Sequence, residues 1–226
     1  MKAKLTEEVA TTIINNFYAL LYSGGVWQRT YWRGHPATKL PSDLFVYQEL
    51  IHAVRPDYIV ETGTAHGGSA LFFADMLELE GQGEVITIDL NFRPDRPDHH
   101  RIKYINADSL DAFAEIESVV RGKKVIVSLD SDHQKDHVLA EMELYAPLAT
   151  EYLVVEDTSI NHPIAVEGID EGPMEAVTEF LETHKEFEID RTAHKFLVTT
   201  NPNGWLRRRI HGRETPKGQA DWVPRL

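Results

Sequence analysis

The chain contains no cysteine. Disulfide frameworks, thiol nucleophiles and thiolate metal sites are therefore excluded, and any metal must be held by oxygen or histidine ligands. Long apolar runs are also missing: nothing approaches the roughly 20 residues needed to cross a bilayer. Near the amino terminus, Glu7, Glu8 and the polar pair Thr11-Thr12 interrupt any secretory core, so a cytoplasmic protein is expected. Positive charge is scarce. Lys and Arg number 23 against 36 Asp and Glu, a net charge of −13. Such a balance speaks against nucleic-acid binding, and the short run Arg207-Arg208-Arg209 reads as a solvated strand end or a subunit contact. There is no internal repeat and no low-complexity tract.

What is present is alternation. Apolar positions at helical spacing over 6–22 predict an amphipathic helix stopped by Gly24 and Gly25. Ser42 or Asp43 is expected to cap a second helix running through Ala53. Beyond it, strands at 57–62, 84–89, 102–105, 124–130 and 151–156 alternate with helices near 67–80, 109–119, 134–146 and 173–184. Two more strands, 186–191 and 195–200, are expected to make an edge hairpin. The fold class is α/β: a doubly wound, mostly parallel seven-stranded sheet of Rossmann-like form with an antiparallel edge hairpin. The length suits a single domain spanning 1–226, with a helical extension to about residue 55 and a tail from about residue 204. The amphipathic start, with Trp205 and Trp222 in the tail, suggests a homo-oligomer.

The stretch from Asp57 to Ser69 carries the first functional signal. A short apolar strand ends in Glu61 and meets a glycine turn at Gly63, Gly67 and Gly68 that opens a helix. This builds a nucleotide-type cofactor pocket, but the glycines do not spell G-x-G-x-x-G, and Glu61 would repel a pyrophosphate. A cofactor with positive charge fits better, and S-adenosylmethionine has both a sulfonium and an ammonium. Asp89 ends the next strand, where an acid accepts bonds from ribose hydroxyls. Asp108 and Ser109 follow the third strand. They either meet the adenine or cap the helix that begins there.

Further acids gather at the same sheet edge: Asp130, Glu156 and Asp157. Like charges assembled there are costly unless something cationic sits among them. With no thiolates, the set favours a hard divalent ion, Mg2+ or Mn2+. Asp132 and Asp136 read as helix caps. His133 lies within a helical turn of Asp130 and is the candidate general base, with His137 competing and His162 a weaker contact candidate. The loop 158–172 is a candidate lid, and Tyr31, Trp32 and His35 are candidates for the acceptor wall.

Taken together, Glu61-x-Gly63-x-x-x-Gly67-x-Ser69 resembles the cofactor motif of magnesium-dependent catechol-type O-methyltransferases. Four stretches, Lys39–Leu44 with Tyr47–Glu49, Glu61–Leu71, Ser128–His133 and Leu153–Thr158, resemble the cephalosporin hydroxylase / rhamnosyl O-methyltransferase family. The resemblance runs from about Trp32 to Arg208. It implies a class I methyltransferase fold, S-adenosylmethionine, a magnesium ion held by Asp130, Glu156 and Asp157, and His133 as base. The implied reaction is methylation of a small-molecule hydroxyl, on a sugar or natural product. A metal-dependent hydroxylase of a β-lactam-like metabolite and a non-catalytic cofactor-binding partner stand as alternatives.

Overall fold

The computed structural model describes residues 6–209. In chain order the elements are α1 (Glu7–Ser23), β1 (Tyr31–Trp32), β2 (His35–Pro36), α2 (Pro41–Val54), β3 (Tyr58–Thr62), α3 (Gly68–Glu80), β4 (Glu84–Asp89) and β5 (Ile102–Asn106). Then follow α4 (Ser109–Val120), β6 (Val125–Leu129), α5 (Lys135–Tyr145), β7 (Tyr152–Val155), α6 (Pro173–Thr183), β8 (Phe187–Ile189) and β9 (Trp205–Arg208). A seven-stranded sheet has the order β5-β4-β3-β6-β7-β9-β8, and β1 and β2 pair apart from it. The first five strands of the large sheet run parallel, while β9 is antiparallel to both neighbours.

The near-continuous apolar runs make sense because both faces are covered. Successive side chains point to opposite sides. Val60, Val125, Val127, Leu153 and Val155 therefore pack in one core with α4, α5 and α6. Ile59, Ile126 and Val154 pack in the other, against α2 and α3. Each such fully buried aliphatic side chain contributes about 1.5–3 kcal/mol. The chain runs outward from β3 to β5 and returns to β6 on β3's other side, so the order reverses beside β3. Ligands bind beyond the strand carboxyl ends at such a reversal.

The edge hairpin forms differently from the sequence reading. Residues 195–200 are irregular, and the partner of β8 is β9, which inserts between β8 and β7. The alternation of Phe196, Val198 and Thr200 imitates a strand, but its polar groups are engaged elsewhere. Thr200 donates from both N and Oγ1 to Asp43 Oδ2, and its carbonyl accepts from Ser159 N. Trp205 is consequently no tail or interface residue. It is fully buried, edge-on to Tyr47 with ring centroids 4.9 Å apart. Trp222 lies outside the described residues. At α2 the N-cap is Leu40, with Pro41 leading the helix; Asp43 is buried against Thr200, and Ser42 donates to the Val198 carbonyl.

One glycine ties the small β1–β2 sheet to the large domain. A Cβ on Gly68 would lie 2.2 Å from the Pro36 carbonyl oxygen, whereas one on Gly122 would meet nothing within 4 Å. Gly68→Ala is expected to lose about 1–3 kcal/mol from overpacking. Gly122→Ala, at φ +74, should cost about 1–2 kcal/mol of left-handed strain alone. Urea unfolding of the two variants checks this, and a Gly68→Ala variant with a wild-type midpoint would contradict the packing account.

Candidate active site

The β3 turn brings two strand ends into contact. Gly63 has φ +86, and a Cβ there would sit 1.8 Å from the Asp130 carbonyl oxygen. Only glycine fits, so this residue's role is close approach of backbone. Gly67, at φ +74, is the N-cap of α3, and Ser69 is buried in that helix's first turn. Beyond the turn lies a cavity of about 490 Å³, whose walls include Gly63, Ala65, Asp89, Asp108, Ser109, Asp130, His133 and Asp157. Seven of the sequence-derived site residues thus face one space.

At one end, Asp89 is preset. Its Oδ2 accepts from Ala65 N at 2.8 Å and faces Arg96 at 3.0 Å, and its Oδ1 accepts from Asn91 N at 2.7 Å. Asp108 caps α4 by accepting from Leu110 N at 2.8 Å, and it lines the cavity as well. The capping and ligand readings of Asp108 are therefore compatible. Glu61 lies behind the cavity wall. It is fully buried, accepts from Thr87 Oγ1 at 2.6 Å, and leaves Oε1 without a hydrogen-bond partner. Burial raises its pKa, with Lys39, Ser69 and Thr87 pulling the other way.

At the other end the acids are organised around a residue that sequence reasoning passed over. The Lys39 ammonium, 1% exposed, donates to Glu156 Oε1 at 2.7 Å and to Asp130 Oδ2 at 3.0 Å. Tyr47 OH (2.7 Å) and Ser128 Oγ (2.8 Å) also donate to that same Glu156 oxygen. Burial alone would lower the Lys39 pKa, but Asp130, Glu156 and Glu61 raise it and keep the ammonium charged. Burial pushes Glu156 upward while Lys39 pulls against it. Burial likewise opposes ionisation of Asp130, yet Lys39 and His133 hold it below its ordinary value. The available signal was charge: crowded strand-end acids require a cation, and Lys39 lies in one of the stretches that carry the family resemblance.

Glu156 and Asp157 consequently diverge. Glu156 goes inward to Lys39, while Asp157, at φ +52, turns to the cavity. Ligand atoms of Asp130, His133 and Asp157 lie within 4.8 Å of one another, a set that could hold a metal ion. Glu156, expected as a third ligand, is not in that group, and His133 is. Its Nε2 is 3.1 Å from Asp157 Oδ2 and 3.8 Å from Asp130 Oδ1, and it is buried without an aligned hydrogen bond. Two carboxylates turned to one cavity, with an imidazole beside them, make an oxygen-rich set that a hard cation fits.

The geometry also separates the histidines. His137 Nε2 lies 3.3 Å from Ser131 Oγ and 3.6 Å from Glu141 Oε1, off the acid pair. His162 pairs with Glu175. Trp32 donates to Asp75 and packs edge-on against Phe72, so Trp27 and Thr38 take the wall expected for Tyr31, Trp32 and His35.

Residues 24–209 match the family model described as Rhamnosyl O-methyltransferase/CmcI. A rhamnosyl O-methyltransferase of Mycobacterium tuberculosis is 35% identical over 217 residues, covering 90% of this chain and 88% of its own. That of Mycobacterium leprae is 36% identical over 211 residues, covering 88% and 91%. Among solved structures, an apo form of CmcI superposes with TM-score 0.64 at 25% identity, covering 81% of this chain and 77% of that one. A CmcI structure with Mg and SAM superposes at 0.62 and 22%, covering 81% and 78%. The sheet is that of a class I methyltransferase.

The His133 environment makes a direct expectation. Burial alone would lower its pKa, but Asp130 and Asp157 reverse this and carry it from 6.5 up to about 10. A raised folded-state value means the stabilisation is complete below about pH 6.5 and is lost as pH rises through about 10. Imidazole NMR on the metal-free chain should find His133 protonated at pH 8, and His133→Asn should flatten the stability slope above pH 6.5. A His133 titrating below pH 7 without metal would contradict the geometry.

Proposed function

The chain belongs to the Rhamnosyl O-methyltransferase/CmcI family and is an S-adenosylmethionine-dependent O-methyltransferase, and from that premise we propose that it methylates a sugar hydroxyl of a small glycoside with the help of a divalent ion. The observation that carries this reading is the shared cavity. Asp89, Asp108 and Ser109 line the same space as Asp130, His133 and Asp157. The names of the relatives support a rhamnosyl acceptor, and the Mg and SAM in the CmcI structure support magnesium.

In the proposed mechanism, Asp89 would accept the ribose hydroxyls with lone pairs left by its backbone and Arg96 contacts. Asp108 and Ser109 would meet the adenine, and Gly63 would let backbone approach the amino-acid end. Glu61, behind that turn, adds negative potential toward a sulfonium and an ammonium. The cofactor supplies an electrophilic methyl group. Asp130 and Asp157 would hold the divalent ion, which supplies charge stabilisation for an alkoxide and lowers the pKa of a hydroxyl. Glu156 stays with Lys39 and fixes Asp130 from behind. His133 Nε2 takes the hydroxyl proton. A base must be neutral, and positive charge against Asp130 and Asp157 removes the cause of the raised imidazole pKa. The cavity walls would orient the acceptor, which is chiefly an entropic contribution.

The donor set weighs against a hydroxylase. Two carboxylates beside a single histidine do not make the 2-His-1-carboxylate set of non-haem iron oxygenases, whichever role that histidine takes. No helix among the described residues is long and apolar enough to cross a membrane. Val9, Ile13, Phe17 and Leu20 form an exposed stripe on α1, which supports the expected homo-oligomer.

Replacing His133 with Ala should cut turnover by roughly two to four orders of magnitude, with S-adenosylhomocysteine affinity unchanged by calorimetry. Asp157→Asn should weaken Mn2+ binding at least about tenfold, a typical minimum for disturbing a metal's surroundings. Glu156→Gln should act mainly on stability. Near wild-type turnover in His133→Ala would make that residue structural, and Mn2+ binding lost in Glu156→Gln but kept in Asp157→Asn would reverse the assignment of the two acids.

A further inference from the structure

A second segment grips the chain where β7 ends. Val155 N donates to the Gly204 carbonyl at 2.8 Å, and Ser159 N donates to the Thr200 carbonyl at 3.0 Å. Thr158 Oγ1 donates to the Pro202 carbonyl at 2.6 Å. Between them, Asp157 N donates to Asn201 Oδ1 at 2.9 Å. The two chains lie so close that a Cβ on Gly204 would be 2.0 Å from the Val155 carbonyl oxygen. Three of these acceptors are backbone carbonyls, which any sequence supplies. The fourth is a side chain, and it holds the amide of a cavity acid.

Asp157 needs holding. Its φ of +52 lies in the left-handed region. Residues with side chains visit that region rarely and stay there only where their surroundings impose it. In this conformation Asp157 leaves the line of β7, and it lines the cavity.

Asn201 is fully buried, and its Nδ2 has no hydrogen-bond partner. A buried donor left unmet is a cost that an apolar side chain of similar size would avoid. What the amide alone offers is the acceptor Oδ1. Asn201 is itself fixed: its N donates to Thr199 Oγ1 at 3.0 Å, and its carbonyl accepts from Gly204 N at 3.0 Å. Its neighbour Thr200 is tied to Asp43 at the start of α2, four residues after Lys39. One stretch of chain therefore sets both cavity acids. Lys39 bonds Asp130 directly, and Asp43 acts on Asp157 through Thr200 and Asn201.

We propose that Asn201 is the positioning residue for Asp157, its side-chain carbonyl holding that backbone amide so that the carboxylate faces the cavity before any divalent ion arrives. A ligand already in place loses less freedom on binding. Residues behind a metal's ligands commonly change its affinity tenfold or more when replaced, roughly 10–100-fold. This inference rests on the reading of Asp157 as a metal ligand.

The test is Mn2+ binding to the full chain without acceptor, followed by electron paramagnetic resonance, for wild type, Asp157→Asn, Asn201→Leu and Tyr152→Phe. The last removes a buried bond to Asp190, away from the cavity, and controls for lost stability. Asn201→Leu should weaken Mn2+ at least about tenfold while S-adenosylhomocysteine affinity by calorimetry stays at the wild-type value. Tyr152→Phe should lower the unfolding midpoint and leave Mn2+ affinity unchanged. Wild-type Mn2+ affinity in Asn201→Leu, an equal loss in Tyr152→Phe, or an equal loss of S-adenosylhomocysteine affinity in Asn201→Leu would overturn the positioning role. Wild-type affinity in Asp157→Asn would instead remove the ligand reading, and the inference with it. Hydrogen exchange by NMR on the metal-free wild type decides the matter if Asn201→Leu does not fold. The Asp157 amide should be protected, and an amide that exchanges freely would overturn the proposal.

Discussion

One buried ammonium organises the functional edge of this protein. Lys39 stands between Asp130 at the end of β6 and Glu156 at the end of β7, with Glu61 of β3 close enough to hold its charge. Three parallel strands end in acids side by side, and without an internal cation they would repel or protonate. Lys39 comes from the segment before α2, outside the alternating part of the chain. The amino-terminal extension is therefore part of the site and not an appendage to it. Removing one partner of such a buried pair leaves an uncompensated charge that costs about 3–5 kcal/mol, so the pair also locks the extension to the sheet.

That arrangement divides the acids by task. Asp130 gives one oxygen to Lys39 and keeps the other toward His133. Glu156 looks inward, and Asp157 looks out. The cavity is left with two carboxylates and an imidazole at one end and a preset aspartate at the other. A site of this shape suits a cationic cofactor and a divalent ion at once, and the family relationship gives the reaction class that uses both.

Much of the fold was legible because the two periodicities are clean. Val125–Leu129 and Tyr152–Val155 are buried on both faces, as central parallel strands are. That Asp89, Asp108, Ser109, Asp130 and His133 would share one cavity was legible from their places after strands, since the strand ends define the ligand edge. The misreadings share a cause. Residues 195–200 carry strand-like alternation but give their hydrogen bonds to Asp43 and Ser159, partners far away in sequence. The bond of Glu156 to Lys39 was hidden as well, because spacing does not reveal a residue more than 100 positions earlier folding over it. Local pattern gives elements and their ends; it does not give the long-range partner of a buried charge.

The most direct measurement of the central claim is transfer of a labelled methyl group. The chain, S-adenosylmethionine carrying ¹³C in its methyl, and a rhamnoside are incubated with Mg2+, and the product is read by ¹³C NMR. The account expects a single new methoxy carbon on the sugar that disappears when a chelator is added and returns with excess Mg2+. Label that never reaches a sugar oxygen, or that reaches it equally well with all divalent ion removed, would contradict the account.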